Sequence, residues 1–311
     1  MGEGCKISIV GGAGGVGASL AFNLLRDHAA GEVVLIDSRT NMVASHVLDL
    51  EQAIEQGASG SIRGGEMEEV VDSDVVVMTA GAPLTVNTSR MIYLEDNARI
   101  LDATLDQFDQ DWGGILIVVT NPVDPLVTWT QRRSGIDRRR VIGYTLNDTL
   151  RLRTGIAKAL GAELGSVEAW VIGEHGDACV PLFDRVNVDG EPVELTADQC
   201  AAAEEFLRNW YVNHVALDSG RSSTWTSGLG LARMVRAVTE PVKRELWPAS
   251  VVLDGEYDVR GLAIGVPVTL GPGGVEQIHE WELTPEQRAA FDSGAALVRE
   301  AAEAIVGSPS L

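Results

Sequence analysis

The chain has 311 residues, 45% of them hydrophobic and 22% charged, which excludes a disordered protein and is typical of a folded one with one large domain or two of ordinary size. Acidic residues outnumber basic ones by 45 to 24, and the net charge of −21 would repel phosphate, so we expect no nucleic-acid partner. Because the sequence shows neither a signal-peptide pattern nor an apolar run of about 20 residues, we expect a cytoplasmic protein that does not enter a membrane.

The basic residues and the cysteines indicate the environment of the protein. Only three of the 24 basic residues are lysine, and an acidic surface poor in lysine is typical of adaptation to high salt, where a short Debye length screens self-repulsion. We therefore expect a halophilic protein, and a merely acidic protein from a GC-rich genome is the alternative. Cys5, Cys179 and Cys200 are scattered and lack metal-ligand spacing, so we expect reduced cysteines and no metal site.

A glycine-rich turn follows the first predicted strand. After the turn come an apolar-periodic helix and a second apolar run that ends at Asp37. Gly12, Gly14 and Gly17 satisfy G-x-G-x-x-G, and Gly11 with the last two satisfies G-x-x-G-x-x-G, so the start of the motif is ambiguous by one residue. Strand, tight turn, helix and strand in this order predict a dinucleotide-binding unit.

The turn and the acid that follows it predict NAD as the cofactor. Glycines let phosphate approach bare backbone, and the helix N-terminus offers free N–H groups and a partial positive charge. Asp37 lies 20 residues after the last glycine, where a carboxylate accepts hydrogen bonds from the adenosine ribose and repels the 2′-phosphate of NADP. Arg39 leaves NADP open as an alternative, since it can pair with that phosphate. The predicted cofactor residues of this unit are Gly11, Gly12, Gly14, Gly15, Val16, Gly17 and Asp37.

The rest of the first half completes an α/β pattern. Apolar residues at helical spacing predict a helix over 41–56, and uninterrupted apolar runs at 74–80 and 115–120 are typical of parallel strands buried on both faces. Alternating strands and helices predict the α/β class, with a doubly wound Rossmann sheet that forms an NAD-binding domain over residues 1–145. Ligands of such sheets bind at the carboxyl ends of the strands.

The second half, residues 146–311, has mixed α+β character, and we expect it to form a C-terminal substrate domain. The predicted helices are 147–160, one that starts at a Thr196/Gln199 capping box, 229–242, and one that opens at Thr284-Pro285. The predicted strands are 167–173, 180–188, 250–253 and 266–270. No change of composition marks a linker, so the two domains should share an intimate interface.

Candidate catalytic residues stand at the ends of these elements. His175 lies between two glycines in G-E-H-G-D (173–177), directly after a predicted strand, where small neighbours leave the ring open to a substrate. Arg90 lies in a polar loop that can close over a cofactor, and Asp148 and Arg151 share one helix face. Each candidate also has an alternative without a catalytic function: a structural histidine for His175, a surface arginine for Arg90, and an intrahelical ion pair for Asp148 with Arg151.

These residues belong to a set of motifs that resembles the L-lactate and malate dehydrogenase family over essentially the whole chain. The motifs are the glycine turn with Asp37, T-A-G (79–81), S-R (89–90), D-N (96–97), T-N-P-V-D (120–124), N-D-T-L-R (147–151) and G-E-H-G-D (173–177). The acidity and several segments are most similar to haloarchaeal members. The resemblance implies an NAD-dependent L-2-hydroxy-acid dehydrogenase that forms a homodimer or a homotetramer.

The resemblance also implies roles for individual residues. His175 would exchange a proton with the C2 oxygen of a small 2-hydroxy or 2-oxo acid, and Asp148 would fix its tautomer and favour the charged ring. Arg151 would bind the substrate carboxylate as a two-donor fork, and Arg90 would stabilise negative charge on the carbonyl oxygen. Asn121 would hold the substrate oxygen or the nicotinamide. The further implied cofactor residues are Thr79, Ala80, Gly81, Asn97 and Asn121.

Leu84 departs from the family pattern and bears on the substrate. In malate-specific members of the family, the corresponding residue resembles an arginine that pairs with the second carboxylate of malate. Lactate-specific members usually have glutamine at this position. Leucine cannot pair with a carboxylate, and an unpaired buried charge is costly, so we expect a monocarboxylic substrate, lactate or pyruvate or a longer alkyl analogue. Ser223 is a second expected substrate-facing residue. Malate dehydrogenase with an atypical loop and a non-catalytic NAD-binding sensor are the alternatives.

Overall fold

Six parallel strands form the first part of the fold. The structure is a computed structural model that describes residues 4–82, 90–109, 111–221, 223–241 and 244–306. The strands are β1 Lys6–Val10, β2 Glu32–Ile36, β3 Ser61–Gly64, β4 Val75–Met78, β5 Ile115–Val118 and β6 Val141–Tyr144. They lie in the order β3, β2, β1, β4, β5, β6, and every neighbouring pair is parallel. The chain thus starts in the middle of this sheet and winds outward in both directions, which confirms the predicted doubly wound arrangement.

Four helices cover the two faces of these strands. They are α1 Gly15–Arg26, α2 Thr40–Glu55, α3 Arg90–Leu105 and α4 Val123–Ser134, with short 3-10 helices at Met67–Asp72 and Arg138–Arg140. On one face Ile9 packs in the same buried cluster as Leu20 of α1. On the other face Val76 packs with Leu101 of α3 and Leu126 of α4. Because both faces are covered, the inner strands β4 and β5 are apolar and buried throughout, which is the pattern that the sequence shows.

The second half adds antiparallel strands to the same sheet. They are β7 Val167–Gly173, β8 Cys179–Val188, β9 Glu191–Pro192, β10 Leu246–Asp254, β11 Arg260–Gly271 and β12 Gly274–Ile278. Strand β10 pairs with β6 on one side and with β11 on the other, and the sheet continues through β7 and β8 to β9. Among the described residues the sheet is therefore continuous from β3 to β9, with β12 paired to β11.

The helices of the second half are α5 Leu146–Leu160, α6 Ala197–Ala216, α7 Thr224–Thr239 and α8 Pro285–Val306, with a short 3-10 helix at Glu256–Asp258. The predicted cap at Thr196 is confirmed, since its Oγ1 accepts a hydrogen bond from Gln199 N–H while Gln199 Oε1 accepts one from Thr196 N–H. Helix α7 starts five residues before the predicted start of this helix. Strands β10 and β11 are longer than predicted, because their hairpin pairing runs from Leu246 with Thr269 to Asp254 with Arg260. None of the described helices has the length and apolarity needed to cross a membrane.

The glycine turn depends on two glycines for different physical reasons. Gly11 has a φ of +90°, a conformation that side chains rarely adopt. At Gly17 the reason is space, because a Cβ there would lie 2.6 Å from the carbonyl oxygen of Gly11 and 2.9 Å from the Cα of Gly12. Helix α1 can therefore lie close against the end of β1 only if residue 17 is glycine.

We expect the substitution Gly17→Ala to reduce the free energy of unfolding by about 1–3 kcal/mol, because the added methyl group forces α1 away from the turn. Denaturant unfolding monitored by circular dichroism measures the change. Gly113→Ala is the matched control, since a Cβ at Gly113 would meet no described atom within 4 Å and should change stability by less than about 0.5 kcal/mol. Equal losses in the two variants would contradict this explanation of Gly17.

Candidate active site

The first part of the site is formed by the glycine turn and the carboxyl end of β2. Asp37 Oδ2 accepts a hydrogen bond from Ala13 N–H at 3.1 Å, and Oδ1 accepts one from Arg39 N–H at 3.0 Å. The Arg39 guanidinium lies 3.3 Å from the same carboxylate. Burial raises the pKa of Asp37, but these N–H groups and the arginine charge outweigh it, so its pKa lies below the usual value. Asp37 is therefore ionised at neutral pH, and Arg39 is its partner.

The surroundings of Asp37 fit NAD. The side chain stands beside a cavity of about 470 Å³, which is lined by Leu35, Asp37, Thr40, Val43, Ala44, Val47, Leu48, Glu51, Gly64, Gly65 and Glu66. At the start of α1, Gly14 provides no side-chain cap, so the N–H groups of the first turn are available to an anion. An apolar cavity for a base, an acceptor for a ribose and an anion-binding helix end are the three features that NAD requires.

The carboxyl ends of β4 and β5 are connected by one buried side chain. Asn97 of α3 has no exposed surface; its Oδ1 accepts a hydrogen bond from Ala82 N–H at 2.7 Å, and its Nδ2 donates one to the carbonyl oxygen of Asn121 at 2.6 Å. Thr79 connects this edge to the glycine turn, since its hydroxyl donates to the carbonyl oxygens of Val10 and Gly11. The predicted residues that the structure places at this edge are Thr79, Ala80, Gly81, Asn97 and Asn121.

The second part of the site is a series of polar contacts that ends at His175. His175 follows β7, and its Nδ1 lies 2.5 Å from Oδ2 of Asp148. The other oxygen of that carboxylate accepts a hydrogen bond from Nη1 of Arg151 at 3.0 Å. The exposed fractions of the three side chains are 13% for His175, 9% for Asp148 and 18% for Arg151. The structure thus brings together three residues that were predicted from two motifs, 147–151 and 173–177.

The charges in this group favour a protonated ring beside an ionised carboxylate. Burial lowers the pKa of His175, but the charge and hydrogen bond of Asp148, with the charge of Asp124, outweigh it, so the pKa of the ring is raised. Burial raises the pKa of Asp148, but His175 and Arg151 outweigh it, so the pKa of this carboxyl is lowered. With Nδ1 directed at Asp148, Nε2 is the ring nitrogen left for a substrate.

Two residues that contact this group received no role from the sequence, although Asp124 is the last residue of the T-N-P-V-D motif (120–124). Asp124 Oδ2 accepts a hydrogen bond from the backbone N–H of His175 at 2.6 Å, although the two residues are 51 positions apart. Trp210 of α6 lies against Arg151, whose Cζ is 4.3 Å from the ring centroid. Trp210 also stacks on His214, and their four-residue spacing on one helix face is the signal that the sequence holds.

Helix α7 connects the two parts of the site near Ser223. Ser223 immediately precedes α7 and is partly buried. One turn later, Ser227 Oγ accepts a hydrogen bond from Asn147 Nδ2 at 2.9 Å, next to Asp148 in the chain. A Cβ on Gly15 would lie 3.1 Å from the hydroxyl of Thr224. The start of α7 therefore lies between the glycine turn and the first turn of α5.

Two predicted residues of the loop before α3 are not placed by the structure. Leu84 lies outside the described residues, as do its neighbours from 83 to 89. Arg90 is described as the first residue of α3, but its side chain is outside the described part of the chain. The roles expected of Leu84 and Arg90 therefore stay predictions.

A dinucleotide-binding turn, a doubly wound sheet and a histidine paired with a buried carboxylate define the class as a Rossmann-type oxidoreductase. Comparison with known proteins supports the same class. The family model for the lactate/malate dehydrogenase NAD binding domain matches residues 5–143, and the one for the alpha/beta C-terminal domain of the same family matches residues 145–306.

Among the individual relatives, some are malate dehydrogenases and others are lactate dehydrogenases. A malate dehydrogenase from Natronomonas pharaonis, one of several haloarchaeal relatives, is 35% identical over 297 residues, which cover 93% of this chain and 96% of the relative. A malate dehydrogenase structure from Aeropyrum pernix has a TM-score of 0.88 and 29% identity, covering 96% of this chain and 97% of that one. A Cryptosporidium parvum lactate dehydrogenase complexed with lactic acid and NAD has a TM-score of 0.90 and 28% identity, covering 98% and 99%.

The chain belongs to the lactate/malate dehydrogenase family. It is an NAD-dependent oxidoreductase that acts on 2-hydroxy acids, and NAD is its cofactor. The family resemblance of the sequence and the predicted fold class are thereby confirmed.

We expect Trp210→Leu to raise the KM for the 2-oxo acid with little change in kcat. The stack orients the Arg151 guanidinium, which is expected to bind the substrate carboxylate, and a cation–π contact contributes about 0.5–2 kcal/mol, which corresponds to about 2- to 30-fold in KM. Steady-state kinetics measures both constants.

The matched control is Phe206→Leu, one turn earlier on α6, where Lys158 of α5 lies 4.3 Å from the ring centroid in a similar stack away from the His175 group. Its KM should equal that of the unmodified enzyme. A KM that rises equally in both variants would show that the α5–α6 packing, and not the Arg151 stack, is what matters.

Proposed function

We propose that the chain is an L-2-hydroxy-acid dehydrogenase that prefers monocarboxylic substrates, L-lactate and pyruvate or longer alkyl analogues. The observation that carries this proposal is Leu84, an apolar residue where malate-specific relatives are expected to have a charge-pairing arginine. Malate bound there would bury a second carboxylate without a partner, at a cost of several kcal/mol. Selectivity among alkyl chains should be modest, since each methylene contributes only about 1–3 kcal/mol.

His175 is the residue that exchanges the substrate proton in this proposal. In alcohol oxidation its neutral Nε2 accepts the hydroxyl proton, and in ketone reduction its protonated ring returns the proton to the carbonyl oxygen. Asp148 keeps the ring oriented through Nδ1 and compensates the charge that the ring acquires. Bound NAD supplies the hydride chemistry of the reaction.

The substrate is held by residues on either side of His175. Arg151, already oriented by Asp148 and Trp210, binds the C1 carboxylate with two parallel N–H donors. Arg90 stabilises negative charge that develops on the carbonyl oxygen. Asn121 and Ser223 complete the expected contacts, the first at the carboxyl end of β5 and the second before α7.

The cofactor residues follow the same edge of the sheet. Asp37 accepts hydrogen bonds from the adenosine ribose, and the N-terminus of α1 binds the pyrophosphate. The residues that we assign to the cofactor are Gly11, Gly12, Gly14, Gly15, Val16, Gly17, Asp37, Thr79, Ala80, Gly81, Asn97 and Asn121. In this scheme residues 1–145 form the NAD-binding domain and residues 146–311 the substrate domain.

Malate dehydrogenase is the second candidate function. It is favoured by relatives at 33–36% identity that are named malate dehydrogenase. Solved structures with comparable TM-scores include both lactate and malate dehydrogenases, so overall likeness does not choose between the two substrates.

We expect NADH oxidation in molar salt to be faster with pyruvate or 2-oxo-4-methylpentanoate than with oxaloacetate. In the variant Leu84→Arg the ratio of kcat/KM values should move toward oxaloacetate by at least about tenfold, because the arginine supplies a partner for the second carboxylate. Leu164→Arg, at a position with 73% exposure between α5 and β7, is the control for adding an arginine and should leave the ratio unchanged. A preference of the unmodified enzyme for oxaloacetate would favour the malate candidate.

The environment and assembly of the enzyme are also proposals. The net charge of −21 supports a halophilic enzyme, and the free cysteines Cys5, Cys179 and Cys200 support a cytoplasmic one. A homo-oligomer, either a dimer or a tetramer, is supported by exposed apolar side chains on α2, α6 and α7, among them Leu48, Val212, Val215 and Trp225 at 55–69% exposure.

We expect the protein to lose its fold and its assembly in dilute buffer and to regain both in molar salt, because salt screens the repulsion among excess carboxylates. Circular dichroism measures the fold and multi-angle light scattering measures the mass across the same salt series. A fold and a mass that do not depend on salt would contradict the halophilic assignment, and a monomer at every salt concentration would contradict the oligomer.

A further inference from the structure

We propose that Asp124 is a positioning residue for His175, which holds the backbone of the histidine and places a second negative charge beside its ring. This inference rests on the proposed role of His175 as the group that exchanges the substrate proton. Asp148 contacts the ring nitrogen, whereas Asp124 accepts the main-chain N–H of His175 at 2.6 Å, so the two carboxylates act on different parts of one residue.

The position of Asp124 is unusual for a residue with a purely structural role. It lies in the first turn of α4 and only 1% of it is exposed. Its Oδ2 accepts the His175 N–H, and the buried hydroxyl of Ser250 lies close enough to the carboxylate to favour its ionised form. An ionised carboxylate that is almost fully buried is costly even with these two donors, and Asp124 meets that cost directly against the backbone of His175.

The negative charge of Asp124 favours the protonated form of His175, which is the form that donates a proton in ketone reduction. Burial raises the pKa of Asp124 to about 6, with the His175 N–H, the nearby Ser250 hydroxyl and the charge of His175 opposing the rise. Above that pH the carboxylate is ionised, which the positive end of the α4 dipole also favours. Its negative charge is then one of the causes that raise the pKa of His175.

The other charged groups around His175 lie on α5, on α6 and in the loop of His175 itself. Asp148 and Arg151 face the ring from α5, and Arg151 opposes protonation. Glu174 precedes His175, is half-buried and has a raised pKa caused first by burial, and Asp177 follows in the same loop. Arg208 of α6 donates to the carbonyl oxygen of Asp177. A substitution at Asp124 leaves all of these in place.

The test is the variant Asp124→Asn, which keeps the shape and an oxygen acceptor for the His175 N–H but removes the charge. Histidine-labelled protein has five ring Cε1–H signals, and His175→Gln identifies the one to follow. We expect the titration midpoint of His175, measured by NMR at constant molar salt, to fall by about one pH unit in Asp124→Asn. This readout does not depend on turnover.

Kinetics gives the second readout. With a lower His175 pKa, the variant should reduce a 2-oxo acid about tenfold more slowly than the unmodified enzyme above the His175 midpoint, where the protonated ring becomes scarce. At acidic pH the two rates should agree within about twofold, because the ring is protonated in both. The thermal midpoint at pH 8 should be no lower in the variant, since the folded protein no longer buries a charge whose pKa is raised, so misfolding cannot mimic the result.

The control is Asp102→Asn, which removes a half-buried carboxylate that also contacts α4, through Trp129 Nε1 at 2.8 Å, but does not contact His175. It should leave the His175 midpoint unchanged. An unshifted midpoint in Asp124→Asn, or an equal shift in the control, overturns the inference. If His175→Gln instead keeps the full reduction rate, the proposed function of His175 fails, and the NMR midpoint still decides the role of Asp124.

Discussion

The antiparallel pairing of β10 with β6 is the contact on which the rest of the structure depends. It pairs Ala249 with Tyr144 and Ser250 with Gly143, and so adds the strands of the second half to the parallel sheet of the first. The approach is close, since a Cβ on Gly143 would lie 2.7 Å from the Cβ of Ser250. Helix α5 begins directly after β6, so this pairing also determines where Asp148 and Arg151 stand.

A second close approach places the histidine. Gly265 of β11 pairs with Gly173 at the end of β7, and a Cβ on Gly265 would lie 2.8 Å from the carbonyl oxygen of Gly173. The chain leaves β7 at this point and reaches His175 two residues later. Because β10, β11 and β7 are consecutive in the sheet, the ring arrives beside the first turns of α4 and α5, which carry Asp124 and Asp148.

The chemistry of the site follows from this placement. Two carboxylates and one arginine lie around a histidine in a largely dry environment, where charges interact more strongly than in water. Neither of the two carboxylates would be stable there alone. Their charges and those of Arg151 and the His175 ring partly compensate one another, so the ring can both hold and release a proton. The overall charge of −21 influences salt dependence and solubility, but these local contacts set the protonation state of His175.

Much of the cofactor site could be read from local sequence. The strand, the glycine turn, the first turn of α1 and Asp37 lie within one continuous segment, and the conformations they need are set by near neighbours. The proposed catalytic group was predicted as separate motifs whose roles came from family resemblance, because residues 148 and 175 meet only after the strands have paired. The limits of β10 and β11 were missed for a related reason, since they are set by the pairing of the two strands with each other and not by the residues of either strand alone.

The sequence by itself determined the class of fold and the cofactor and supplied the residue types of the proposed catalytic group, since these depend on periodicity, on the glycine turn and on motifs of a few adjacent residues. Only the tertiary structure decided that Asp124 holds the backbone of His175 and that Trp210 lies against Arg151. These contacts join residues about 50 to 60 positions apart on different elements, and their geometry depends on how the sheet orders its strands, which no local pattern encodes.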